Sequence, residues 1–153
     1  MNTDIEYRQR VVKEYREQVE PLLKYIPWLQ NKQGAKASST YAGDGLSEHS
    51  VPVPVYDGTL MNFIKDVQRT KLLDRNYVYV YSRLKIRSVQ DERRAIASAT
   101  LREMDVLTGI LAKYVMGGMT KAALWPEAVE NGIFLQLLLK MKEILEFWDQ
   151  PLA

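Results

Sequence analysis

Residues 133–148 read IFLQLLLKMKEILEFW, and this stretch decides the fold. Its apolar residues recur every three or four positions and cover nearly the whole circumference of a helix. A helix that is apolar all round is either buried deeply in its own domain or covered by a second chain. The pattern therefore predicts a last helix over Ile133–Trp148, and it makes a homodimer one way of covering that helix.

The same periodicity runs upstream through residues 88–116. It predicts one long helix over Ser88–Met116, packed against the last helix and central to the fold. Gly117-Gly118 is expected to end it with a left-handed cap, and Asn131-Gly132 is expected to separate it from the last helix. We therefore predict an all-α fold, a compact bundle of five to seven helices around a long central helix, in a single domain over residues 1–153.

The first half of the chain contains shorter elements. Helices are predicted at residues 4–20, 21–25 and 58–70, with a stop or kink before Pro27, and a further short helix at residues 120–125. Residues 31–57 form an irregular loop rich in Gly, Ser, Lys and Asp. Near its end, valines alternate with Pro52 and Pro54, which allows an extended edge segment.

Residues 77–81 read YVYVY and fit two structures. The β propensity of this segment is strong, and a minor two-stranded element could pair it with residues 51–56. The helical pattern also fits, because Asp74 can cap a helix whose one face carries Tyr77, Val80, Tyr81 and Leu84. We favour the helix.

The composition excludes several chemistries. The 153 residues include no cysteine, which removes disulfides, thiolate metal sites and cysteine nucleophiles. The net charge of +2 does not by itself imply a polyanionic partner. The first 20 residues lack the apolar segment of a signal peptide, and no apolar run approaches the roughly 20 residues of a membrane helix. We expect a cytoplasmic protein with no membrane partner.

Candidate catalytic residues are few. His49 is the only histidine, and Asp44, Glu48 and Asp57 lie near it in the irregular loop. An enzyme with its site under this loop is one hypothesis, but polar loops commonly consist of such residues. The spacing matches neither a calcium loop nor a zinc site. The sequence therefore predicts no catalytic set, no metal and no cofactor, and whether the chain is an enzyme stays open.

Basic and aromatic residues alternate in the middle of the chain. Between Arg69 and Arg94 there are eight bases and three acids. Rings that stack on bases and cations that meet phosphates are typical of proteins that bind single strands. This pattern is compatible with a nucleic-acid-binding site, but we favour the interpretation in which alternate tyrosines pack inside and the arginines stay exposed at the rim. The predicted site residues are Arg75, Tyr77, Tyr79, Tyr81, Arg83, Lys85 and Arg87.

Three segments of the C-terminal third carry a family resemblance: residues 114–121 (YVMGGMTK), 130–134 (ENGIF) and 138–143 (LLKMKE), with Trp125 between the first two. They resemble an uncharacterised bacterial family of domains of unknown function, small intracellular proteins often carried by mobile genetic elements. The resemblance implies a helical fold and a bacterial or phage-like origin. It supplies no catalytic residues.

The main functional hypothesis is therefore a non-enzymatic binding or regulatory module. Its partner is expected to be an unknown protein or a second copy of the chain. A nucleic-acid-binding accessory protein that uses the basic, tyrosine-rich segment 69–94 is the alternative.

Overall fold

A computed structural model describes residues 2–32, 38–41, 53–56, 58–121 and 123–148. The described chain is mostly helical, as the apolar periodicity predicts, and it contains eight α-helices where five to seven are predicted. No helix within these ranges is long and apolar enough to cross a membrane. The helices are α1 (Asn2–Leu23), α2 (Ile26–Lys32), α3 (Gly58–Arg69), α4 (Tyr77–Leu84), α5 (Val89–Ser98), α6 (Met104–Gly117), α7 (Leu124–Glu130) and α8 (Ile133–Trp148).

The helix α8 has the predicted bounds and lies at the centre of the core. It contacts α1, α2, α5, α6 and α7. Leu107 and Leu111 of α6 and Leu138 of α8 are fully buried, so the two apolar stretches of the second half do bury against each other. The apolar residues of α8 that suggested a homodimer are thus mostly covered within the chain.

The aromatic side chains extend this core across four elements. The Phe134 ring of α8 meets the Phe63 ring of α3 edge-on, with 5.0 Å between centroids, and lies 6.1 Å from the Tyr114 ring of α6. Phe63 in turn meets Tyr25, in the turn after α1, at 5.2 Å. Edge-to-face pairs contribute about 0.5–1.5 kcal/mol each beyond their burial.

The predicted long helix over Ser88–Met116 is wrong, because the chain breaks at Ala99 and Thr100. Ala99 is extended (φ −70°, ψ 142°), and a short 3₁₀ turn over Leu101–Glu103 leads into α6. Thr100 and Glu103 form a reciprocal capping box, in which the Thr100 N–H donates to the Glu103 carboxylate at 3.1 Å. The box satisfies backbone donors that a continuous helix would bond internally, and so it fixes a new helix start.

Two other predicted boundaries are also wrong. Helix α1 runs through Pro21 to Leu23 instead of restarting at that proline. Pro21 costs the helix its bond to the Glu17 carbonyl, but both residues are exposed, so water can bond to that carbonyl in place of the missing N–H. Residues 118–121 form turns, and the helix predicted at 120–125 begins only at Leu124.

The strands β1 (Ser38–Tyr41) and β2 (Val53–Tyr56) pair antiparallel. The register places Ser38 opposite Tyr56 and Tyr41 opposite Val53. The extended segment near Val53 therefore pairs with residues in the predicted loop, and the YVYVY segment is helical, as favoured above. The loop candidates Asp44, Glu48, His49 and Asp57 lie outside the described residues.

Gly118 ends α6 for a steric reason and not by a left-handed cap. Its φ is −67°, which any residue adopts. A Cβ atom added at Gly118, however, would lie 2.0 Å from Nε1 of Trp125. That indole nitrogen donates to the carbonyl of Val115 at 3.0 Å. The glycine therefore provides the space in which the indole closes the α6–α7 turn.

We expect Gly118→Ala to lower the free energy of unfolding by about 1–3 kcal/mol, because the indole must move and lose its hydrogen bond. Gly117→Ala is the matched control: its Cβ would meet only Leu124 Cδ1, at 3.0 Å, and alanine favours the helix. Urea denaturation of both variants measures the difference. Equal stability of the two would contradict the steric role of Gly118.

Tyr25 joins the turn after α1 to α3. Its hydroxyl donates to the Asp66 carboxylate at 2.5 Å, and Lys24 and Arg69 each lie 3.5 Å from that carboxylate. Burial and the bond to Asp66 raise the pKa of Tyr25 to about 12. The same bond lowers the pKa of Asp66 below its ordinary value.

This raised pKa predicts a loss of stability in alkali. The unfolded chain releases the Tyr25 proton near pH 10, whereas the folded chain keeps it up to about pH 12. The unfolded state then binds fewer protons, so stability falls as the pH rises between these values. We expect Tyr25→Phe to lower the free energy of unfolding by about 1–3 kcal/mol at pH 7. The difference in this free energy between the variant and the parent chain should become smaller above pH 10. Denaturant titrations at several pH values test this, with the exposed Tyr7→Phe as control.

Candidate nucleic-acid interface

The basic, tyrosine-rich segment is built on a short helix with defined ends. Asp74 accepts a hydrogen bond from the Asn76 N–H at 2.8 Å just before α4 begins. The helix ends at Lys85, which adopts the left-handed conformation (φ 55°). The Ile86 N–H then donates to the Tyr81 carbonyl at 2.9 Å, a bond typical of a helix C-terminus with a left-handed residue.

One residue of α4 fixes which way the helix faces. Val80 is buried against α6, where a Cβ atom at Gly109 would lie only 3.2 Å from Val80 Cγ2. The helical period places Tyr77 and Tyr81 on one flank of this contact and Tyr79 on the opposite flank. The Tyr79 side chain is 64% exposed. The tyrosines therefore do not form one row of rings.

The outer side of α4 carries exposed apolar and cationic groups together. The Arg83 guanidinium lies 5.7 Å from the centroid of the Tyr79 ring and 3.0 Å from Asp105. Val78 and Leu84 are also exposed, at 66% and 43%. We name this surface the α4 face; it consists of Arg75, Val78, Tyr79, Arg83, Leu84, Lys85 and Arg87, all of them exposed.

The structure thus separates the seven predicted site residues into two groups. Five lie exposed on the α4 face: Arg75, Tyr79, Arg83, Lys85 and Arg87. Tyr77 is half-buried, and Tyr81 points inward to a carboxylate. The alternating rings of the sequence are therefore not a continuous stacking surface, because α-helical geometry sends alternate residues to different sides.

The inward carboxylate belongs to Glu92 of α5, which is 2% exposed. Its Oε2 accepts a hydrogen bond from the Tyr81 hydroxyl at 2.5 Å, and its Oε1 accepts one from the Tyr114 hydroxyl at 2.5 Å. Lys113 donates to Oε2 at 3.2 Å. This carboxylate therefore joins α4, α5 and α6 through three donors.

The electrostatics of the cluster follow from its burial. Burial and the bonds to Glu92 raise the pKa of Tyr81 and of Tyr114 far above the ordinary value, so both phenols remain donors at neutral pH. The Lys113 ammonium lies over the Tyr114 ring, 4.1 Å from its centroid, and compensates the buried negative charge. Because both carboxylate oxygens already accept bonds, the arrangement fits the positioning of helices better than proton transfer to a ligand.

In the sequence, Glu92 counts only as one of the three acids between Arg69 and Arg94. One signal could have found it: Glu92 precedes Ile96 by four positions and so lies on the apolar face of α5. A charged residue at a core position needs buried partners. Tyr114 and Lys113, more than 20 positions further on, could not be identified as those partners from spacing.

A cleft of about 700 Å³ opens between the end of α4, α5 and the start of α6. Arg83, Lys85, Arg94 and Arg102 line it, together with three carboxylates. A second cleft of similar size, lined in part by Arg8 and Trp148, shares Tyr15, Leu101 and Arg102 with the first.

No metal-binding group of three or more histidine, aspartate or glutamate side chains exists within the described part of the chain. No protein-family model, curated protein or solved structure matches the sequence or the fold.

We expect Glu92→Gln to destabilise the fold by about 2–4 kcal/mol, because it removes a buried charge that three donors share. Tyr81→Phe and Tyr114→Phe should each lower the free energy of unfolding by about 1–3 kcal/mol. Glu143→Gln, in which the residue is exposed and 3.8 Å from Lys140, should change stability by less than about 0.5 kcal/mol.

Chemical denaturation measures these differences. The Glu92 and tyrosine changes should be far from additive, since they remove the same bonds. Additive effects in the Glu92→Gln, Tyr114→Phe double variant would contradict the shared cluster.

Proposed function

We propose that this chain is a non-enzymatic binding module that takes single-stranded nucleic acid on the α4 face. The observation that carries the proposal is the exposed Tyr79 ring beside the Arg83 guanidinium, with centroid and guanidinium 5.7 Å apart. The guanidinium lies over one face of this ring, so a base can stack on the other face while the cation meets a phosphate.

The flanks of α4 extend this arrangement. Arg75 precedes the helix, and Lys85 and Arg87 follow it, so cations lie at both of its ends. The apolar side chains of Val78 and Leu84 of α4 are also exposed and offer further contact to bases. Aromatic stacking, combined with cations that contact the phosphates, tolerates any nucleotide sequence. The expected specificity is therefore for single strands and not for a particular base order.

The segment keeps at its surface the net charge of +5 that its composition gives. Of the three acids between Arg69 and Arg94, Glu92 is buried and bonded to Lys113. Arg93 is turned inward and donates to the Asn131 carbonyl at 2.6 Å. Seven bases and two acids remain near the surface of the segment, which favours a polyanion.

The other hypotheses receive less support. The apolar residues of α8 that suggested a homodimer are largely buried inside the chain. The residues proposed for an enzyme site under the loop lie outside the described ranges. A regulatory role through a protein partner remains compatible with the α4 face, and the bacterial, mobile-element origin implied by the family resemblance stays a prediction.

Fluorescence anisotropy with a labelled oligothymidylate of about 20 nucleotides at low salt tests the proposal. We expect Tyr79→Ala to weaken binding by 1–3 kcal/mol, about 5- to 150-fold, through loss of stacking. Tyr7→Ala is the matched control, because Tyr7 of α1 is also 64% exposed. The same measurement on a duplex of the oligothymidylate with its complementary strand should show weaker binding than on the single strand.

Arg83→Ala should reduce the slope of log K against log salt by about 0.7, the contribution of one phosphate contact on a single strand. Arg10→Ala, which removes an exposed cation of α1, should leave the slope unchanged. No binding at low salt, or equal losses in the Tyr7 and Tyr79 variants, would overturn the proposal.

A further inference from the structure

The cleft between α4, α5 and the start of α6 is chemically different from the α4 face. Its floor is apolar and buried: Ile86, Ala99, Met104 and Val106 are each no more than 7% exposed. Its rim is ionic. A cavity of about 700 Å³ with an apolar floor and a few polar groups has the size and character of a small-molecule site.

Two ion pairs account for most of the charges at this rim. Arg83 lies 3.0 Å from Asp105, and Arg94 lies 3.4 Å from Asp91. The third carboxylate, Glu103, is held in the capping box with Thr100, which lowers the pKa of Glu103. These three carboxylates are therefore already engaged by groups of the protein.

Lys85 and Arg102 are the two remaining cations of the rim, and neither forms an ion pair with any described residue. Lys85 is held there by its left-handed backbone (φ 55°), and Arg102 by the 3₁₀ turn. The rim has four cations against three carboxylates, a net charge of +1. That balance matches a ligand with one negative charge.

Tyr15 of α1 completes the edge of the cleft. Partial burial and the nearby Asp105 raise the pKa of Tyr15, so its hydroxyl stays protonated and can donate a hydrogen bond to an anion. We propose that this cleft binds a small monocarboxylate with an apolar, preferably aromatic, body: the carboxylate between Lys85 and Arg102 and the body on the apolar floor. This inference does not rest on nucleic-acid binding by the α4 face.

The neighbouring cleft provides the control. It shares Arg102, but its other cation, Arg8, is placed over the Trp148 ring at 5.4 Å. A ligand in that second cleft would depend on Arg8, whereas a ligand in the proposed site would not.

Calorimetric titration with 1-naphthaleneacetate and with its neutral analogue 1-naphthaleneacetamide tests the proposal. The two probes have the same apolar body and differ in charge. We expect the carboxylate to bind at least tenfold more tightly than the amide. Arg102→Gln and Lys85→Asn should each weaken carboxylate binding about tenfold and leave amide binding nearly unchanged; asparagine tolerates the left-handed backbone of Lys85.

Ser98→Phe tests the shape of the site independently of charge. Ser98 is exposed at the end of α5 and lines the cleft, so the ring should fill the cavity and abolish binding of the carboxylate without unfolding the chain. Arg8→Gln should leave the affinity unchanged. Equal affinity for the two probes, no binding of the carboxylate, or a loss in Arg8→Gln as large as in Arg102→Gln would overturn the proposal.

The outcome is separable from that of the α4 face. Arg102 is not part of that face, so Arg102→Gln should weaken naphthaleneacetate binding and leave oligothymidylate binding nearly unchanged. Tyr79→Ala should do the reverse. Loss of both ligands in either variant would contradict two separate sites.

Discussion

The buried carboxylate of Glu92 is the interaction on which the surface of this chain depends. It is 2% exposed, and donors from α4 and α6 converge on it. A charge in the core is tolerated only where such partners compensate it. Because Tyr81 must point inward to satisfy this carboxylate, the helical period places Tyr79 and Arg83 outward. The position of the exposed ring thus follows from the burial of Val80 together with the bond of Tyr81 to this charge.

The two proposed binding surfaces meet at the end of α4. Three residues of the α4 face also line the cleft: Arg83, Leu84 and Lys85. The two surfaces differ in what lies beside the cations. On the α4 face the cations accompany exposed rings and aliphatic groups, which suits a chain of bases and phosphates. In the cleft, which is partly open to solvent, they accompany a buried apolar floor, which suits the apolar body of a small ligand.

Much of the helical fold could be predicted from apolar periodicity, and α8 matches its predicted bounds. The break at Thr100 could not, because the apolar spacing continues across it, although the Thr100–Glu103 cap is visible as a local T-x-x-E signature. The nucleic-acid site stays a prediction. Five of its seven residues are exposed together, but only long-range packing showed that Tyr81 turns inward to Glu92. The spacing of residues predicts which of them share a face of a helix, but it does not predict which residues of other helices that face contacts.

The close approach of Val80 to Gly109 has a consequence for recognition. The glycine lets the Val80 side chain pack directly against α6, because a Cβ atom at position 109 would lie only 3.2 Å from Val80 Cγ2. The surface presented by α4 is therefore pre-organised before any ligand arrives. The backbone of α4 then loses little conformational entropy when a ligand binds. A small surface with one stacking ring therefore gives up less of its binding free energy to ordering of the protein.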